Sequence, residues 1–228
     1  MKGPSAIWTA GLLAFTAGYV DTVGFVGLFG LFTAHVTGNF VLIGAALANP
    51  RIGVVGKLAA LPVFVVGVAL TRLFLRHCER VGRDPARGMF AAQGLLLSSF
   101  AAVCIWSAPF SSGDQPEALL AGTLGVLAMS VQNAAARTIF ADLSPTTVMT
   151  GNVTQVVLDI VELRRTGDPV RARLAKMAPP VIAFLTGAVM GGFGFAWLGF
   201  ACLLLPISAV GALFVLHHPR PLAATATS

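Results

Sequence analysis

Six apolar runs dominate the chain, at about residues 6–26, 57–75, 89–109, 117–140, 177–198 and 200–217. A helix needs about 20 apolar residues to cross the hydrocarbon core of a bilayer. Within lipid every backbone polar group must be satisfied by the protein itself, so runs of this kind become transmembrane helices. Composition agrees: the 228 residues are 56% apolar and 11% charged, against about 25% charged in an ordinary soluble domain. Mean hydropathy is +0.84. A soluble α-helical domain would leave too much of this apolar surface uncovered. The expected class is an all-α integral membrane protein.

Two shorter apolar stretches, about 37–48 and 150–162, open with the same tripeptide. One is Thr37-Gly38-Asn39, in TAHVTGNFVLIGAAL, and the other is Thr150-Gly151-Asn152, in TTVMTGNVTQVVLDI. Each follows an apolar segment that carries a polar residue. Asp21 lies sixteen residues before Thr37, and Asn133 lies seventeen before Thr150. A polar signature repeated at matched spacing points to internal duplication. Counted from its tripeptide, each stretch is about half a membrane thick.

Charge placement distinguishes the topologies. Most Lys and Arg fall in two clusters, Arg72 to Arg87 and Arg164 to Lys176. Between apolar spans such clusters mark cytoplasmic loops and not nucleic-acid sites. If neither tripeptide segment crosses and the N-terminus is cytoplasmic, both clusters and the tail with Arg220 lie inside. Arg51, Lys57 and the loop with Asp114 and Glu117 then lie outside. If both segments cross, one Arg cluster is forced outside. A seven-span arrangement, with only the first segment crossing, also misplaces Lys2 and stays open as the second choice. The six-span arrangement gives two halves of three crossings in opposite orientation, an inverted-topology 3+3 repeat with two re-entrant half-helices. The competing picture is a pair of kinked hairpins sealed by Gly, with no ligand. The expected units are a first repeat over 1–112, a second over 113–218 and a disordered cytoplasmic tail over 219–228. The start, with Lys2, reads as an uncleaved first span.

Polar residues inside the apolar runs are the candidate site. A carboxylate at membrane depth costs roughly 3 kcal/mol or more, so Asp21 must face a partner or a water-filled cavity. Thr37 and Thr150 suit helix caps, and Gly38 and Gly151 permit close backbone approach. Asn39 and Asn152 add donors and acceptors. Two helix starts facing each other from opposite sides would suit a polar or anionic group. Arg137 follows Asn133 by four residues and shares its face on a regular helix. Under the pseudo-symmetry Asp21 and Arg137 could meet, as a coupling carboxylate beside a basic anchor or as a structural ion pair. Snorkelling of Arg137 to the interface is the alternative reading. Gln132, with Gln93 and Gln155, suits helix bridging as well as ligand contact. Asp159 is a lesser candidate, read chiefly as a solvated helix-end carboxylate. His35, two residues before Thr37, can gate, sense protons or pack. Gly187 and Gly191 form a GxxxG pair suited to close helix packing.

The sequence lacks GxSxG, HExxH, CxxC and P-loop patterns, so no enzymatic activity, metal or cofactor is expected. Cys78, Cys104 and Cys202 read as reduced packing residues.

The residues carry one resemblance. Gly18 with Asp21, Thr37-Gly38-Asn39, Gln132-Asn133-Ala134 and Thr150-Gly151-Asn152 together resemble the YoaK-like membrane protein family, a domain of unknown function numbered 1275. It covers roughly residues 8–218. The resemblance implies a bacterial inner-membrane protein with about six spans and a transport role, and it supplies no established substrate. The expected function is secondary transport of a small polar or anionic solute, coupled through Asp21, with both termini cytoplasmic. Its partners are the bilayer and the solute, and a homo-oligomer is compatible with it. A passive channel and a non-transporting scaffold or sensor are the alternatives.

Overall fold

The structure, a computed structural model, describes residues 5–48 and 54–217. Lys2, Arg51, His218, Arg220 and the tail lie outside the described residues. Regular structure among the described residues is helical: α1 (Ser5–Gly27), α2 (Gly38–Ala48), α3 (Val55–Arg80), α4 (Ala86–Ser107), α5 (Pro116–Ala136), α6 (Met149–Thr166), α7 (Asp168–Leu198) and α8 (Leu204–Leu216). A 3₁₀ turn, Gly199–Leu203, joins the last two. Five helical stretches are long and apolar enough to cross a membrane: Ala6–Gly27, Val55–Arg80, Ala86–Ser107, Pro116–Ala136 and the continuous stretch Asp168–Leu216. At 11 residues, α2 is about half the length that crossing requires.

The last stretch is folded back on itself. Gly199 ends α7 at φ +54°, a backbone region that Gly enters without the Cβ clash other residues meet. Phe200, in the turn, packs on Phe110 beyond the end of α4, with ring centroids 5.7 Å apart. His217, after α8, reaches Asp84 before the start of α4, at 2.9 Å. So α8 runs alongside α4 in the opposite direction.

α1 packs chiefly on α7, and α5 packs on α3 and α4. α8 lies against α4 and α1, α2 lies on α3, and α6 lies on α7. The inner helices are α1 and α5: 67% of the most apolar window of α5 is buried, against 22% for α3. The outer faces of α3 and α7 carry exposed Val65, Leu70, Leu73, Ile182, Leu185 and Phe193. Those faces contact the bilayer.

Glycine explains why α1 and α7 come so close. A Cβ at Gly187 would run into the Phe15 carbonyl oxygen, and one at Gly18 into the Phe184 carbonyl oxygen. At Gly191 it would stand 2.7 Å from the Tyr19 carbonyl oxygen. Removing the side chain lets the two backbones touch, which is how helices gain dispersion contact in lipid. Beyond that contact α7 carries Pro179 and Pro180 within the helix. Neither has an N–H to give to the carbonyl one turn back, so α7 is weakened just before Phe184.

The two ends of the bundle differ in charge. One end gathers the C-termini of α1, α4 and α7 with the starts of α3 and α5. There Lys57 Nζ donates to the Phe29 carbonyl at 2.9 Å, and Asp114 accepts from the Val54 and Val55 N–H groups at the start of α3. A carboxylate there complements the helix dipole. The other end holds Arg80, Arg83, Arg87, Arg137, Arg171, Arg173 and Lys176. Arg87 stacks on Phe214 at 4.7 Å, and Phe90 stacks on Phe140.

Candidate functional site

After α1 the chain turns at Phe29 and Gly30, which both have positive φ, and folds back along the bundle. Thr33 lies against Gly24 of α1 and Gly125 of α5, well inside the helix ends. Asp21 holds this returning segment in place. Its Oδ1 accepts from the N–H of Thr33 at 2.7 Å, from the N–H of Ala34 at 2.8 Å and from the Thr33 hydroxyl at 3.3 Å. Its Oδ2 pairs with His35 Nδ1 at 2.7 Å. Asp21 is buried, whereas the His35 side chain keeps 32% of its surface accessible. The partner that an intramembrane carboxylate requires is therefore the next loop and not Arg137. Among the described residues no ion pair joins Asp21 to Arg137.

A cavity of about 550 Å³ opens above this pair. Asp21 and Thr22 of α1 line it, with His35, Thr37 and Gly38 from the connection and the start of α2. Phe25 and Phe32 form one wall at 4.9 Å between ring centroids. Phe184 of α7 forms another, its ring centroid 5.6 Å from that of His35 in a T-shaped arrangement. Gly38 sits so near Phe32 that a Cβ would fall 2.9 Å from the ring.

The second signature is built on the same plan with different chemistry. The connection after α5 also folds inward. Thr147 donates to Asn133 Oδ1 at 2.7 Å, while Asn133 Nδ2 donates to the Met129 carbonyl. Thr146 accepts from Gln132 Nε2 at 3.1 Å. Gln132 is fully buried. It also donates to the Leu13 carbonyl and accepts from Gln93, tying α1, α4, α5 and this connection together. Gln132 thus bridges these elements. A smaller cavity of about 210 Å³ is lined by Asn133, Arg137, Thr147 and Val148 among others.

Both tripeptide asparagines face inward. Asn39 accepts from the Phe32 N–H and donates to the Phe32 carbonyl, each at 2.9 Å. Asn152 donates to the Pro145 carbonyl at 2.7 Å. Each is buried and closes its own connection. The threonines are exposed. Thr150 lies in the first turn of α6, behind Val148, which offers no side-chain cap, and a Cβ at Gly151 would meet open space. The capping expected of Thr150 therefore does not occur, because the cap position falls on Val148, two residues earlier than the motif suggests. Thr37 and Gly38 line the larger cavity, whereas the smaller one is lined by residues that precede the second tripeptide.

Asp159 departs most from expectation. Its carboxylate is fully buried between α6 and α7, bonded to Arg173 Nη2 at 2.7 Å and to Gln155 at 2.8 Å. Those donors hold it below the usual carboxylate range. Its place near the end of α6 gives no sign of this partner, which comes from the next helix. Cys78, Cys104 and Cys202 are free and buried.

Long apolar helices with lipid-facing sides, buried polar bridges between them and inward-folding connections define a multi-pass helical membrane protein. The chain belongs to the family described as Protein of unknown function (DUF1275), whose model matches residues 9–216. It is similar to the UPF0700 transmembrane protein YoaK of Bacillus subtilis (strain 168), at 30% identity over 150 residues. That alignment spans 65% of this chain and 64% of the relative, less than two thirds of the relative's length. No solved structure matches the chain.

Proposed function

We propose that the protein is a secondary transporter that moves a small polar solute across the bacterial inner membrane. The observation that carries the reading is the Asp21–His35 pair at the floor of an open cavity between α1 and α7. Acid–base pairs at membrane depth are costly and belong to ion and substrate pathways. Only the first of the two helix starts, at Thr37 and Gly38, lines this cavity, so the paired arrangement expected for an anionic solute lends it no support. Six crossings, with α7 and α8 as an antiparallel pair and both termini cytoplasmic, fit the concentration of Arg and Lys at one end. The pairing of helices supports an inverted repeat over 1–112 and 113–218. Exchanging α1 with α5, α2 with α6, α3 with α7 and α4 with α8 maps α1–α7 onto α5–α3 and α4–α5 onto α8–α1. The inward connections after α1 and α5 then enter from opposite sides, as re-entrant segments do in transporters built this way. Phe184, just past the weakened turn of α7, is the group that would move to open and close the cavity.

Purified protein in proteoliposomes, given small solutes under an imposed pH gradient, tests this. One solute class should be taken up, and Asp21→Asn should abolish uptake in protein that remains folded and inserted. Equal flux in wild type and variant, independent of the gradient, would make the protein a passive facilitator. No flux for any class would return it to a scaffold or sensor.

A further inference from the structure

We propose that the cavity beside Asp21 and His35 takes an organic cation and releases a proton as it does so; the proposal rests on the transporter reading and names the solute class. Three observations carry it. Phe25, Phe32 and Phe184 line the cavity. Aromatic faces carry negative charge density and attract cations. Among the described residues, the lining brings one acid, Asp21, and one base, His35, with no Lys or Arg and no other titratable group. An anion placed there would meet a carboxylate and aromatic rings, whereas a cation meets a complementary wall.

The Asp21–His35 pair supplies the exchange. Asp21 carries one negative charge, which balances one positive charge nearby. That charge is either the second proton of the His35 ring or the incoming cation. With both ring nitrogens protonated, the imidazolium repels a cation. Loss of the pocket-side proton from Nε2 to water leaves Nδ1–H bonded to Asp21 at the 2.7 Å contact and the site one charge more negative. One monovalent cation enters and one proton leaves, so the charge balances. Thr33 and Ala34 donate to Asp21 throughout and keep the carboxylate in position.

The test compares two ions of the same shape and opposite charge, tetraphenylphosphonium and tetraphenylborate. Binding to the full chain in detergent is followed by titration calorimetry in two buffers of different ionisation enthalpy, which counts protons released. We expect tetraphenylphosphonium to bind, to release close to one proton, and to bind up to about tenfold more tightly per pH unit where His titrates. Phe184→Ala, which leaves the Asp21 loop intact, should weaken it about threefold. Asp21→Asn should weaken it about tenfold or more. Preference for tetraphenylborate overturns the proposal, and so does binding that ignores Phe184→Ala and releases no proton. Cation binding with proton release but no proton-driven flux in proteoliposomes would sink the transporter reading and leave the site standing. Flux of some other solute without cation binding would do the reverse.

Discussion

Asn39 closes on Phe32, seven residues back, through both ends of its side-chain amide. Asn152 reaches back the same seven residues to Pro145 with one hydrogen bond. The difference follows from the target: Pro145 has no N–H to donate, so only its carbonyl can be engaged. Loss of a buried partner costs about 1–3 kcal/mol for each group left unsatisfied. Asn39→Ala should therefore lower the melting temperature in detergent more than Asn152→Ala does. Equal losses would mean that the clasp is not what these residues contribute.

Gly187 sits where the α7 backbone touches the Phe15 carbonyl of α1. Gly187→Ala places a methyl group against backbone, which cannot rotate away. Overpacking of this kind costs about 1–3 kcal/mol. Gly211, with nothing near it, is the matched control. Thermal unfolding should separate the two variants clearly, and indistinguishable midpoints would contradict the close α1–α7 contact.

Gln132 satisfies three buried groups at once: the Leu13 carbonyl, Thr146 and Gln93. Gln132→Leu leaves all three without that partner, for a loss of about 2 kcal/mol or more. The double variant Gln93→Leu/Gln132→Leu removes one orphan and should recover part of the loss. A double variant worse than the sum of the singles would refute the bridge.

Asp159 is held below its ordinary value of 3.8 by Arg173 and Gln155. A depressed acid contributes stability that is present above its unfolded-state pKa and lost as pH falls through the folded value. Wild type should therefore exceed Asp159→Asn by a constant margin from about pH 5 to 8, and the margin should close below about pH 4. A margin that persists into acid would assign the effect to packing and not to charge.

Much of this protein is legible along one dimension. Apolar runs of bilayer length leave only one environment in which their backbone and side chains are both satisfied, so hydropathy by itself determined the helical membrane class. The matched spacing of Asp21 and Asn133 before their tripeptides marked both inward-folding connections, since a repeated pattern survives without knowledge of the fold. Gly187 and Gly191 announced a close helix contact, though not that α1 was the partner. Tertiary structure alone decided who meets whom. Along the chain Asp21 suits a water-filled cavity or a meeting with Arg137, and only the path of residues 28–37 brings Thr33, Ala34 and His35 to it. Asp159 looks solvated until α7 turns back at Gly167 and delivers Arg173. The tripeptide asparagines read as donors and acceptors for a ligand until Phe32 and Pro145 are brought to their amides. The physical reason is common to all three. Burial and hydrogen bonding are properties of surroundings, and those surroundings are supplied by residues that no local pattern connects.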